Sequence, residues 1–141
     1  DDLRRRLDAP PPAAIALEFH TPTSFKLGNY IEALPLPRLV FGSLATVWAN
    51  LSGENLVTAV ERFAERHLHM EIHRLVRHGP RLNNQPQIGA TGRVVYRFLT
   101  PEDGPLARAI NVLADLAFYA GIGRKTTQGM GMARRLEFDE S

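Results

Sequence analysis

Ile15, Leu17 and Phe19 alternate with Ala16, Glu18 and His20. A period of two predicts a strand with one buried face, closed by Thr21-Pro22. Thr23, Ser24 and Lys26 then read as a polar turn. From Pro35 the period lengthens. Val40, Phe41, Leu44, Val47, Trp48 and Leu51 recur at three and four residues, the stripe of an amphipathic helix, which also makes Trp48 a core residue rather than a base-stacking platform. Pro37 suits the first turn of that helix and Ser52-Gly53 its end. A second helix is predicted over residues 54–66, with Leu56, Val60, Phe63 and Ala64 on one side. The period then returns to two, placing Leu68, Met70 and Ile72 inward and His67, His69, Glu71 and His73 outward. His78-Gly79-Pro80 bends the chain, and residues 82–86 form a polar loop. Residues 94–99 make another strand, introduced by Gly89 and Gly92, which suit a bulge, a close backbone approach or a simple turn. Residues 101–104 open a helix with Pro105 in its first turn and Leu106, Ala109, Ile110, Leu113, Leu116 and Ala120 as its stripe. Gly121 closes it, and residues 132–138 return as the last strand.

Strand, helix pair, strand, strand, helix, strand is the order of a βαββαβ ferredoxin-like sandwich. This α+β fold has an antiparallel sheet with its helices on one face. Right-handed crossovers predict the first and last strands at the centre of the sheet. Ahead of the unit, DLRRRL suits a helical turn or two, stopped by Pro10, Pro11 and Pro12. Residues 1–12 therefore read as a linker or the remnant of a preceding domain, and residues 13–138 as the domain itself.

With 141 residues and 44% apolar composition the chain has material for one core. It has no run of about 18 apolar residues and no basic-then-apolar leader, so a cytoplasmic protein without a membrane partner is expected. It has no cysteine, which excludes disulfides, Cys-type zinc sites and thiol nucleophiles. The formal charge is only +2, but the cations are unevenly spread. Arg62, Arg66, Arg74, Arg77, Arg81, Arg93 and Arg97 face only Glu65 and Glu71 within residues 62–97, and residues 124–135 hold no acid. Arginine without lysine suits planar phosphate contacts, although a solvated basic face has the same composition.

The histidines invite a metal reading that their spacing opposes. HMEIH at 69–73 has its glutamate one place away from the HExxH pattern. On a strand, His69 and His73 would stand about 13 Å apart, too far to share one ion. His20 ends a strand with no partner visible in sequence, which favours a structural role over acid–base work. No metal and no cofactor are expected.

Residues 121–132, GIGRKTTQGMGM, carry the most distinctive chemistry. Two Gly-x-Gly pairs flank two cations, two hydroxyls and an amide, with no acid among them. Such a loop could bring backbone N–H groups close to a phosphate. It is neither a Walker A loop, since Met130 follows Gly129, nor a dinucleotide fingerprint, since position 126 is Thr and a helical pattern precedes it. A helix-to-strand connection whose glycines only allow tight packing fits the same residues.

GIGRKTTQGMGMAR after the helix ending LAFYA resembles the glycine-rich loop of the Cas6 family of CRISPR repeat-processing RNA endonucleases, within the wider RAMP group. FHTPTSFK at 19–26, PLPRLVFGSLATVWANL at 35–51 and IGATGRVVYRFL at 88–99 are similar to the C-terminal half of such proteins in order and spacing, and the likeness runs from about Ala13 to Arg135. The resemblance implies a RAMP domain paired with an N-terminal ferredoxin-like domain, with CRISPR repeat RNA as partner. It leaves open a homodimer or membership of a CRISPR effector complex. It further implies metal-independent attack of a ribose 2′-hydroxyl on the adjacent phosphate, assisted by a histidine of the N-terminal domain, so no catalytic residue is assigned in this chain. The implied RNA contacts are Gly121, Gly123, Arg124, Lys125, Thr126, Thr127, Gln128, Gly129, Gly131 and Arg134. Arg135 should point away if 134 and 135 lie on a strand. Two other readings stay open: a noncatalytic RAMP subunit that binds CRISPR RNA, and a ferredoxin-like enzyme that binds a phosphate or nucleotide.

Overall fold

The computed structural model describes residues 11–79, 88–100 and 104–137. The expected turns in DLRRRL, the polar loop at 82–86, the helix opening at 101–103 and the residue Arg81 lie outside them. Along the chain come β1 (Ala14–Thr23), β2 (Phe25–Leu27), β3 (Tyr30–Glu32), α1 (Pro37–Ser52), α2 (Val57–His67), β4 (Leu68–His78), β5 (Gly89–Phe98), α3 (Pro105–Ala120) and β6 (Ala133–Leu136).

The fold is the expected α+β, ferredoxin-like sandwich. Its sheet has the order β4-β5-β1-β6, antiparallel throughout, with the helices on one face. One topological expectation fails, because β6 lies at the edge rather than the centre. β4 and β5 form a hairpin that sets β5 against β1, so the crossover through α3 passes over β1 and lands on its far side. β1 therefore has β5 on one side and β6 on the other.

Alternation sets the two faces. Ile15, Leu17 and Phe19 of β1 join Val94, Tyr96 and Phe98 of β5 in the main core, against Val40, Phe41 and Leu44 of α1, Val60 of α2 and Ile110 and Leu113 of α3. Burying each large apolar side chain there contributes about 1.5–3 kcal/mol. Phe41 meets the Tyr96 ring edge-on at 5.4 Å, and the Tyr96 hydroxyl donates to the Pro35 carbonyl at 2.7 Å. Burial pushes the Tyr96 phenol well above its ordinary range, so this contact keeps its proton. The opposite face is open, and Ala14, Ala16, Val95 and Leu136 form a small apolar cluster on it.

Three local expectations change. The turn at 23–26 is the start of a β2–β3 hairpin, with Thr23, Ser24 and Phe25 buried rather than solvated. The α1 stripe weakens beyond Trp48, which is half-buried, its indole N–H reaching Glu54 at 3.4 Å, and Leu51 is exposed. In β4 the alternation breaks between Ile72 and Arg74, where the register against β5 shifts, leaving Ile72 exposed and returning Leu75 to the core. Gly92 sits opposite this shift at φ +145°, and a Cβ there would stand 2.0 Å from the Arg74 carbonyl oxygen. The close backbone approach expected of the β5 glycines is thus realised.

Tyr96→Phe should lower stability by about 1–3 kcal/mol, because the buried Pro35 carbonyl loses its donor. Urea unfolding should show an earlier midpoint with an unchanged slope.

Candidate nucleic-acid interface

The glycine-rich segment leaves α3 at Gly121, whose N–H still bonds the Ala117 carbonyl at 3.0 Å, and it is laced to the domain at its foot. Ile122 N–H donates to the Gly131 carbonyl at 2.9 Å, joining the two legs of the loop. Gly131 N–H donates to Pro22 O at 3.0 Å and Arg124 N–H to Ser24 O at 2.9 Å. Gly123 N–H reaches the Ser43 hydroxyl on α1 at 2.9 Å, and Met132 N–H reaches Thr21 Oγ1 at 2.9 Å. Ile122 and Met130 are buried beneath as apolar anchors.

All four loop glycines have positive φ, but two are held by something stricter. A Cβ at Gly131 would lie 2.0 Å from the Ile122 carbonyl oxygen, and one at Gly123 would lie 2.3 Å from that of Ser24. Here the glycines bring the protein's own backbone segments together, so the packing reading raised by the sequence is realised for them. What reaches solvent is the tip. Lys125 takes a left-handed conformation, φ 56°, and starts a 3-10 turn over Thr126–Gln128. Lys125, Thr127 and Gln128 are exposed, Arg124 and Thr126 half-buried. Neither Arg124 nor Lys125 makes an ion pair among the described residues.

Arg134 and Arg135 diverge as strand alternation requires. Arg135 turns towards α3, donating to Asn111 O at 2.9 Å, to Asn111 Oδ1 at 2.7 Å and to Asp115 at 3.4 Å. Arg134 turns to the open face and donates to Glu18 at 3.3 Å. Glu18 also receives Arg93 at 3.4 Å and lies 3.2 Å from His20 Nε2. Burial would raise the Glu18 carboxyl, but hydrogen bonds from Arg93 and Arg134, with the charge of His20, carry it below its ordinary value. On β4, Glu71 is lowered by its hydrogen bonds to His73 at 2.9 Å and Arg97 at 3.1 Å.

The basic residues do not gather on one side. Arg62 and Arg66 project from α2, whereas Arg93, Arg97 and Arg134 belong to the open sheet face. No three His, Asp or Glu side chains come close enough to hold a metal among the described residues, and no helix among them is long and apolar enough to cross a membrane. Sequence reasoning missed Thr21, Ser24 and Ser43 as supports of the loop. Their polar character was visible, but their meeting across about 80–110 residues was not.

A family model described as CRISPR-associated endoribonuclease Cas6 matches residues 17–133. Among solved structures, Thermus thermophilus Cas6 (TTHB231) superposes with a TM-score of 0.80 at 28% identity, covering 95% of this chain and 57% of its own. The product complex of another Cas6 (TTHA0078) gives 0.75 at 27% identity, covering 96% and 58%. A RAMP protein described as binding different RNA substrates shares the fold at 15% identity and a TM-score of 0.51. The chain thus spans little more than half the length of the Cas6 structures it matches. None of the curated proteins matches it in sequence.

Alanine at Gly123 or Gly131 should cost at least about 2 kcal/mol, since backbone must move as well as strain. Gly129, whose Cβ would meet open space, should tolerate alanine with about 1 kcal/mol of strain, so thermal melting should separate the two classes. The folded-state values of Glu18 and Glu71 are lowered, so the stabilisation from their contacts is complete above the ordinary 4.5 and is lost as pH falls through the lowered values. Carboxyl NMR titration should place both midpoints below 4.5.

Proposed function

The chain belongs to the family of CRISPR-associated Cas6 endoribonucleases, and from that premise we propose that it is the RNA-gripping C-terminal domain of a protein that processes CRISPR repeat RNA. The observation that carries this reading is the loop of residues 121–131, whose foot is locked by five hydrogen bonds to distant segments or across its own legs and whose cationic tip is exposed. A pre-positioned tip binds with little ordering cost. Arg124 and Lys125 supply charge to a ribose-phosphate strand, and Thr127 and Gln128 supply hydrogen bonds to its phosphate or 2′-hydroxyl oxygens. The glycine N–H groups are engaged inside the domain, so recognition falls to the side chains and to the backbone of the tip itself.

Cleavage in this proposal is metal-independent. The ribose 2′-oxygen attacks the adjacent phosphorus as its proton passes to a base. The bond to the 5′-oxygen breaks as that oxygen takes a proton from an acid or from water, leaving a 2′,3′-cyclic phosphate and a 5′-hydroxyl. The histidine that assists this step is assigned to a preceding ferredoxin-like domain and not to this chain. The role of the present domain is to hold the strand so that the 2′-oxygen and phosphate stay in line.

Replacing Arg124 and Lys125 together by alanine should weaken repeat-RNA binding at least about tenfold and reduce the salt slope by roughly 1 to 2. Unchanged affinity and slope would remove the loop from the interface. With the full-length protein, cutting should persist in EDTA and stop on an RNA with a 2′-deoxy sugar at the cut site. Tight RNA binding without any cutting would instead identify a noncatalytic subunit.

A further inference from the structure

The open face of the sheet carries a second feature, away from the loop tip. Two register shifts flank β5 at the same level, one in β1 between Phe19 and Thr23 and the other in β4 between Ile72 and Arg74. Between them lies Gly92, paired with Phe19 on one side and Leu75 on the other, its Cα pressed against the Arg74 carbonyl. The sheet opens there into a groove of about 410 Å³ lined by Glu18, His20, His73, Arg74, Thr91 and Arg93. That volume lies in the range of about 300–1,000 Å³ typical of small-ligand sites.

The irregularity in β4 falls at His73, between Ile72 and Arg74, and His73 and Arg74 both line this groove. An irregularity that re-aims a side chain is a recurrent device beside binding sites. The groove is also held in place: Glu18 receives Arg93, Arg134 and His20, and Glu71 positions His73 while taking Arg97. Two carboxylates thus stand among four guanidiniums, counting Arg74, which makes no ion pair among the described residues. The surroundings are net positive even with both imidazoles neutral. Phe19 is 2% exposed and packed in the core, so the side chains the groove offers to a ligand are the polar and charged ones.

We propose that this groove is a second phosphate site, which takes a phosphate of a nucleotide chain. Arg74 and Arg93 supply the charge. His20 lines the groove beside them, its Nε2 held by Glu18. β1 joins the groove to the loop, since His20 N–H donates to the Met132 carbonyl at 2.7 Å, immediately beyond Gly131. One strand could therefore contact both. That the strand is RNA rests on the reading proposed above; the affinity of the groove for phosphate does not.

The test follows the imidazole resonances of His20 and His73 in the protein while inorganic phosphate, and separately uridine 3′-monophosphate, is added. Both residues should shift with one saturating curve. His73→Ala with Arg74→Ala should weaken both probes at least tenfold, and Arg74→Glu should abolish binding. These exposed side chains lie outside the core, and an unchanged melting temperature would verify folding. Arg62→Ala with Arg66→Ala, exposed on α2 and outside both features, should leave phosphate affinity within twofold. Absence of shifts, or variants that bind the probes like the parent, would overturn the site. Phosphate affinity lost from the groove variants with repeat-RNA affinity unchanged would overturn its assignment to RNA while leaving the loop untouched.

Discussion

At the foot of the glycine-rich loop two stretches of backbone approach too closely for any side chain to stand between them. Gly131 lies against the Ile122 carbonyl and Gly123 against that of Ser24, with hydrogen bonds knitting Ile122, Arg124 and Gly131 to their neighbours. That contact draws together residues 20–24, Ser43 of α1 and the exit from α3, so the position of the tip is decided by the whole domain. It also engages the N–H groups of Gly123 and Gly131 within the domain, and the tip stands on that base.

The same device recurs on the other face with a different result. At Gly92 the backbone of β5 meets that of Arg74, and the strands on both sides slip in register. A flat sheet would have presented alternating residues. The bulged one gathers two histidines and two arginines around a saturated carboxylate. β1 is common to both features. Its inward residues Ile15, Leu17 and Phe19 anchor the core, while Glu18 and His20 organise the charges outside.

Charge distribution gains meaning only through these pairings. The net charge of the chain is small, and several of its arginines serve the fold, Arg135 by binding Asn111 and Asp115 of α3, Arg97 and Arg134 by binding carboxylates of the sheet. Arg124 and Lys125 at the loop tip and Arg74 at the groove meet no acid among the described residues, a property they share with Lys26, Arg62, Arg66 and Arg77.

The elements and their buried faces were legible in the sequence because hydrophobic period is a local property, set by the repeat of the backbone itself: Ile15, Leu17 and Phe19 inward at two, Val40, Phe41 and Leu44 inward at three and four. The special status of residues 121–131 was legible too, since glycine and cations are unmistakable in one dimension. The tertiary structure alone decided what those glycines are for, why 23–26 is buried, where β4 slips, and why β6 sits at the edge. Each of these depends on which segment lies opposite, and a backbone contact between Gly131 and Ile122 or between Gly92 and Arg74 leaves no trace in periodicity. Partners such as Glu18, Arg93 and Arg134 lie up to 116 residues apart and meet only because β1 has β5 on one side and β6 on the other.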